Sequence, residues 1–362
     1  MRILLFIGTR PEAIKMLPLF KELKKHKEVQ TEICYSGQHG ALARGVFDFF
    51  KITPDFVFDA MREGQSLCKL TTRLLNYFDV LLEREKPDIV LVHGDTATAF
   101  AASLSAFYKG IRIGHIEAGL RTYEARSPFP EELYRVSIDA MSDYHFAPTS
   151  AAAENLSREG RRSIYTVGNT VIDSFEYTLK NDYESPLIRE ADNRKILLLT
   201  THRRENIGGK MREALLGIRD VLLSRKDLFC ILPAHPNPSV RGVVEEAFCD
   251  IKNIKICEPL PVVDFHNILA RSLAVLTDSG GVQEEASYLG VPVFLLRDNT
   301  ERAEGRASGN IRIIGTERAG VKAQLLDVLN DREKLEKMSR PTLVFGDGTA
   351  SKKISEILLS NG

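Results

Sequence analysis

Residues 273–286 place a strand-forming apolar run before Asp278, Ser279, Gly280 and Gly281, and then a run of helical character that opens with polar residues. A strand, a glycine turn and a helix N-terminus in that order leave free backbone N–H groups aimed at one point, reinforced by the positive end of the helix dipole. Such a point suits a phosphate, and glycines let the backbone approach an anion closely. Glu284 and Glu285 fall one turn inside the helix, where a carboxylate can accept hydrogen bonds from a ribose diol. Asp-Ser-Gly-Gly also resembles the nucleophile loop of a serine protease, but here it opens a helix in a chain without a β-barrel pattern. A tight turn that holds no ligand is the plain structural alternative.

Three carboxylates could move protons. Asp95 and Glu117 each end a strand-forming run close to a glycine, and Glu131 follows Pro128-Phe-Pro130 at a helix start. In a closed, partly dry cleft a carboxyl is pushed towards neutrality and can act as acid or base. Otherwise Asp95 caps the helix starting at Thr96, and Glu131 only complements a helix dipole. Cations for a diphosphate are at hand. Arg10 and Lys15 flank the first helix start, His202, Arg203 and Arg204 follow a strand, and Arg302 ends the loop after another. Arginine binds phosphate oxygens in bidentate fashion, although a lone Arg is usually a solvated surface residue. His93, His115, His202 and His235 raise the question of a metal, but no HExxH or CxxC spacing supports one and none is expected.

Stepping outwards along the chain, strands are expected at 3–7, 30–35, 89–92, 111–116 and 143–146, with amphipathic helices at 11–25, 66–85, 96–108 and 131–141. A polar stretch at 180–194, containing Pro186, reads as the inter-domain region. Further strands are expected at 196–200, 229–233, 254–257, 273–277, 291–295 and 311–314, and helices at 323–329 and 350–359. This βαβ alternation, occurring twice, implies an α/β protein with two doubly wound, Rossmann-like parallel-sheet domains facing a cleft. Polar residues cluster at seven strand ends, more than turn chemistry alone explains, and ligands of such sheets bind beyond the carboxyl ends of the strands.

Composition sets the remaining limits. At 362 residues the chain is long enough for two domains, and its zero formal net charge favours neither nucleic acid nor an anionic membrane. No run approaches the ~20 apolar residues that span a bilayer, and the first apolar run reads as a strand and not a signal peptide. Five cysteines at irregular spacing imply reduced thiols in a cytoplasm. Neither GxGxxG nor GxxxxGK[ST] occurs, which argues against a bound dinucleotide and against ATP hydrolysis.

Taken together and in order, these motifs resemble the non-hydrolysing UDP-N-acetylglucosamine 2-epimerases, whose fold is the two-domain glycosyltransferase-B type. The resemblance is carried by residues 8–16, 92–96, 115–121, 130–132, 167–173, 201–206, 235–238, 279–286 and 300–302, almost the whole chain. It implies interconversion of UDP-GlcNAc and UDP-ManNAc with no redox cofactor, by elimination of UDP to 2-acetamidoglucal and its re-addition. Carried over by motif, Asp95, Glu117 and Glu131 are the acid/base candidates and His202 assists the departing phosphate. Arg10, Lys15, His235, Ser279, Gly280 and Gly281 would hold the diphosphate, Glu285 the ribose and Phe265 the uracil, with Arg302 completing the site. The domains would be 1–175, bearing the carboxylates, and 176–345, binding UDP, with a helix in 346–362 packing back towards the first. The expected partner is a small UDP-sugar, with no nucleic acid or membrane, in a cytoplasmic homodimer serving surface polysaccharide precursors.

The sequence also departs from the family pattern. Gly40-Ala-Leu42 replaces the usual Arg-Glu-Met in a region that helps form a regulatory UDP-GlcNAc site, Tyr134 replaces Asn, and Ala303 replaces Pro. These differences leave open a related UDP-acetamido sugar, and a hydrolysing relative that releases ManNAc and UDP is the competing expectation. A glycosyltransferase would need an acceptor groove, and a non-catalytic sensor would not need all three carboxylates.

Overall fold

The computed structural model describes all residues except 39, 63, 202–207, 299–302 and 361–362, together with all side chains of the rest but 41, 303 and 306. The chain divides into two compact units, Met1–Glu176 with Gly346–Gly362, and Tyr177–Phe345.

Unit 1 alternates β1 (Arg2–Ile7), α1 (Arg10–Leu23), β2 (Gln30–Tyr35), α2 (Gly40–Phe50), β3 (Phe56–Val57), α3 (Leu67–Glu85), β4 (Ile89–His93), α4 (Ala97–Tyr108), β5 (Arg112–Ile116), α5 (Glu131–Met141), β6 (Tyr144–Ala147), α6 (Ser150–Arg158) and β7 (Ile164–Thr166). Its seven strands, all parallel, run in the order β3-β2-β1-β4-β5-β6-β7. Helices cover both faces of such a sheet, so its central strands read as continuous apolar runs. Ile3, Leu4, Leu5, Phe6 and Ile7 are accordingly all fully buried. The strand order reverses between β1 and β4, which puts the β1–α1 and β4–α4 turns side by side at the switch point, where open α/β sheets hold their ligands. After α7 (Thr170–Asp173), α8 (Phe175–Thr178) carries the chain past the unit boundary.

Unit 2 follows with α9 (Pro186–Glu190), β8 (Lys195–Thr200), α10 (Gly209–Ser224), β9 (Leu228–Pro233), α11 (Pro238–Phe248), β10 (Ile254–Cys257), α12 (Val262–Ala270), β11 (Ala274–Thr277), α13 (Gly280–Leu289), β12 (Val293–Leu295), α14 (Ala303–Ala307), β13 (Ile311–Ile313), α15 (Arg318–Leu329) and α16 (Arg332–Met338). Its parallel order, β10-β9-β8-β11-β12-β13, reverses between β8 and β11. Finally α17 (Ala350–Ser360) returns to unit 1 and packs on α1 and α7. Asp173 caps it, accepting from the Ala350 and Ser351 N–H groups at 3.3 and 2.6 Å.

The expected strands hold to within two residues at each end. Two expectations do not. The polar stretch 180–194 is no linker: Tyr183, Leu187 and Ile188 pack on the unit 2 core, and Ala191 is buried within it. Its apolar residues are few and interrupted by charged and polar ones, which disguised them. Helix α15 also begins earlier than 323, at Arg318, because Glu317 starts it without a side-chain capping bond that the sequence could have signalled.

Candidate active site

Glu117 is the centre of a buried cluster in unit 1. It follows β5 with φ +66, a left-handed conformation that a non-glycine residue keeps only where its surroundings hold it. Lys15, from α1, forms an ion pair with its Oε2. Asn169 Nδ2 donates to the same oxygen at 2.8 Å, while Asn169 Oδ1 caps α7 by accepting from the Val171 N–H at 3.1 Å. His93, the last residue of β4, brings Nε2 to 3.6 Å from that oxygen. Burial holds the His93 imidazole down at about 3, with Lys15 and His115 working in the same direction and Glu117 against it.

Close to Glu117 in sequence, His115 belongs to a largely buried charge network. His115 Nδ1 lies 2.6 Å from Asp139 Oδ1, and His115 Nε2 lies 2.8 Å from the Gly94 carbonyl oxygen. Asp139 also accepts from Arg121 at 2.7 Å and from the Gly119 N–H at 3.2 Å, and Arg121 forms a two-pronged pair with Glu159 at 2.7 and 2.8 Å. Burial alone would push the Asp139 carboxyl up, but His115 and Arg121 outweigh it and hold it at about 2. The network thereby ties the β5 end, which carries Glu117, to the Gly94 turn, which carries Asp95.

Asp95 does not cap α4. Thr96 does, accepting from the Ala99 N–H at 3.0 Å, which leaves the Asp95 carboxylate paired with Arg135 of α5. Arg135 also reaches Glu132 at 3.3 Å. Glu131 is the half-exposed first residue of α5. Its neighbour Glu132 is buried and shapes the preceding loop by accepting from the Thr122 and Tyr123 N–H groups, both at 3.0 Å. At the β1–α1 turn, Thr9 and Glu12 form a capping box. Glu12 also accepts from the Gly8 N–H at 3.1 Å and from Thr96 Oγ1 at 2.8 Å, joining the two turns of the switch point, and burial pushes its carboxyl up to about 7. Arg10 is the first residue of α1 and half-buried.

In unit 2 the loop after β11 is braced across the strand reversal. Thr200 and Thr277 share a hydrogen bond at 2.7 Å, and Thr201 Oγ1 donates to the buried Asp278 at 3.0 Å. Ser279 is the N-cap of α13 with its hydroxyl making no capping bond, so the side chain is not consumed by the helix. Gly280 and Gly281 open that helix, and a Cβ on Gly281 would meet nothing within 4 Å among the described residues. The fold does not require glycine there, which fits a residue kept small for an approaching ligand. Glu285 is buried with Oε2 lacking a hydrogen-bond partner among the described residues, and its Oε1 is 3.6 Å from Nε2 of His266, whose Nδ1 meets Thr178 Oγ1 at 2.7 Å. Phe265 of α12 packs partly buried on the core, and exposed His235 accepts from the Asn237 N–H at 3.2 Å. His202 and Arg302 lie outside the described residues. Among the described residues no three His, Cys, Asp or Glu side chains gather as a metal site would.

Lys15, expected on a diphosphate, pairs with Glu117, 102 positions away. Asn169, Arg135 and Asp139 were missed as supports of the site. Only Asn169 lay within a recognisable motif, 167–173, and all three act through contacts with residues distant in sequence.

The UDP-N-acetylglucosamine 2-epimerase family model matches residues 21–359. The UDP-N-acetylglucosamine 2-epimerase of Bacillus subtilis is 45% identical over 361 residues, covering 99% of this chain and 95% of its own. The solved structure of a putative UDP-N-acetylglucosamine 2-epimerase from Listeria monocytogenes superposes with a TM-score of 0.97 at 42% identity, covering 99% of this chain and 96% of that one. The Neisseria meningitidis enzyme, solved bound to UDP-GlcNAc, gives a TM-score of 0.95 at 39% identity, with both chains covered completely. The two doubly wound parallel sheets are of the glycosyltransferase-B type, and with agreement of this extent in sequence and fold the chain belongs to the UDP-N-acetylglucosamine 2-epimerases, a family of isomerases.

Proposed function

We propose that this protein interconverts UDP-GlcNAc and UDP-ManNAc without net hydrolysis, by eliminating UDP and adding it back. The observation that carries the reading is the Glu117 cluster: a buried carboxylate on left-handed backbone, held by Lys15 and Asn169. The hydrogen on carbon 2 of the sugar is not acidic, so simple exchange would be slow. Elimination avoids a free carbanion. The C2–H bond breaks towards a carboxylate, the electron pair forms the C1–C2 double bond, and the C1–O bond breaks as UDP leaves with its pair. Re-addition of UDP with protonation of the opposite face inverts carbon 2. Asp95, Glu117 and Glu131 share this acid/base work, and preorganised donors stabilise the departing diphosphate.

The diphosphate is assigned to Arg10, His235, Ser279, Gly280 and Gly281, with His202 assisting its departure, the ribose to Glu285, the uracil to Phe265, and Arg302 completes the set. No redox cofactor or metal takes part. The protein works as a cytoplasmic homodimer and supplies precursors of surface polysaccharide. The test is incubation of the pure protein with UDP-GlcNAc alone, followed by proton NMR. UDP-ManNAc should accumulate to a constant ratio with no free ManNAc. Release of ManNAc and UDP would establish the hydrolysing reaction instead, and conversion of only a differently substituted UDP-acetamido sugar would move the substrate.

A further inference from the structure

The Glu117 carboxylate is surrounded by donors suited to its charged form, with one exception. His93 is 3% exposed, and its Nε2 is a buried ring nitrogen without a hydrogen-bond partner among the described residues. It stands 3.6 Å from Glu117 Oε2, too far for a bond yet with the carboxylate as its neighbour. A contact of the ring with its own backbone carbonyl favours the tautomer with the hydrogen on Nδ1 and a lone pair on Nε2. The imidazole stays neutral, because burial opposes the cation and Lys15 and His115 add positive charge nearby, more than Glu117 offsets. A lone pair facing an ionised carboxylate has nothing to bind. Facing a carboxylic acid it has an O–H donor, once the two side chains close by about 1 Å to the usual O–H···N length.

We propose that His93 is a positioning residue for the reaction: its Nε2 receives the hydrogen of the Glu117 carboxylic acid that forms when carbon 2 is deprotonated. This rests on the reading of Glu117 as the base at that carbon. The proton leaves carbon 2 for a Glu117 oxygen, the electron pair goes into the C1–C2 double bond, UDP departs with the C1–O pair, and His93 neither gains nor loses a proton. Lys15 and Asn169 support Glu117 while it is charged, and His93 supports it once it is neutral. An interaction absent from the ground state and made along the reaction raises kcat and leaves substrate binding alone.

The test uses the full-length protein with UDP-GlcNAc, comparing His93→Phe, His93→Gln, Glu117→Gln and the double variant His93→Phe/Glu117→Gln. His93→Phe should lower kcat by roughly ten- to a hundredfold, the effect of one lost hydrogen bond to a reacting group, with KM little changed. His93→Gln, whose side-chain oxygen reaches the same place, should recover most of the loss. In the Glu117→Gln background the Phe substitution should change the residual rate hardly at all. Should Phe be too large for the buried strand, His93→Asn falls short of Glu117 and must show the same kcat loss. Full kcat in a folded His93→Phe or His93→Asn protein, a loss confined to KM, or no recovery in His93→Gln would overturn the proposal. A Glu117→Gln protein with the wild-type rate would instead remove the base assignment, and the role of His93 with it.

Discussion

Replacing Asp139 by Asn should unfold unit 1 at a markedly lower temperature and silence the site without touching any proposed catalytic residue. The carboxylate accepts from His115, Arg121 and Gly119, and both its side-chain partners are fully buried at their charged or polar ends. Asparagine keeps one acceptor oxygen but turns an amide towards two donors. Arg121 would keep Glu159 as its one ion-pair partner among the described residues, and breaking a buried ion pair on one side costs roughly 3–5 kcal/mol. For a folding unit of this size each kcal/mol is worth about 2–4 °C, so the midpoint should fall by about 6–20 °C. The pH dependence provides a second check. The folded protein holds Asp139 at about 2, below its ordinary 3.8, so its ionisation stabilises the fold fully above about pH 4 and the contribution disappears as the pH falls towards 2. The displacement is worth roughly 2 kcal/mol. Wild type and Asp139→Asn should therefore differ most near neutrality and converge in acid. Thermal unfolding by circular dichroism at neutral and acidic pH measures both effects. A neutral-pH shift under about 2 °C, or a gap that widens in acid, would show that the network does not hold the Gly94 and Glu117 turns in place.

Three further outcomes are expected. Gly281→Ala should leave unfolding unchanged, since its Cβ meets nothing within 4 Å, yet weaken UDP binding about tenfold or more in calorimetric titration; unchanged affinity would take the nucleotide away from α13. Lys15→Met should reduce kcat by roughly a hundredfold while UDP affinity stays within a few-fold, because its charge is directed at Glu117; a loss of UDP affinity alone would return Lys15 to the diphosphate. Product made in D₂O should carry deuterium at carbon 2 by mass spectrometry, because the returned proton comes from a group that exchanges with water, and a deuterium-free product formed at full rate would rule out elimination.

The strands and the glycine loop were legible because their signals are local. A run such as Arg2–Ile7, apolar at five successive positions, short and followed closely by Gly8, fits a strand buried on both faces, and Asp278–Gly281 stands directly between such a run and a helix. What could not be read depends on partners far along the chain. Strand β3 is two residues long and exists only because Cys34 and Tyr35 pair with it. Asp95 offered a cap for α4, and sequence could not tell that Thr96 takes the role and frees Asp95 for Arg135, 40 positions later. The polar stretch 180–194 looked like a linker because its few apolar residues carry no period, yet each finds a place on the unit 2 core.

The last helix shows most clearly how remote sequence reaches the chemistry. Glu117 is held by Asn169, which is the N-cap of α7. Four residues on, Asp173 ends α7 and caps α17, whose first N–H groups come from residues 350 and 351. Burial pushes the Asp173 carboxyl up, and the N–H groups of α17 counter that by stabilising its charged form. One short helix therefore has a residue at its start that positions a proposed base and a residue at its end that depends on the C-terminal segment. Gly346 fits the same arrangement: with φ +124 its backbone lies so close to Gly168 and Asn169 that an added Cβ would sit 3.1–3.2 Å from their backbone atoms. The turn into α17 and the cap of α7 are thus packed against each other. Strain introduced at Gly346 would be felt at Asn169, and through it at Glu117, although 229 positions of chain separate Gly346 from Glu117.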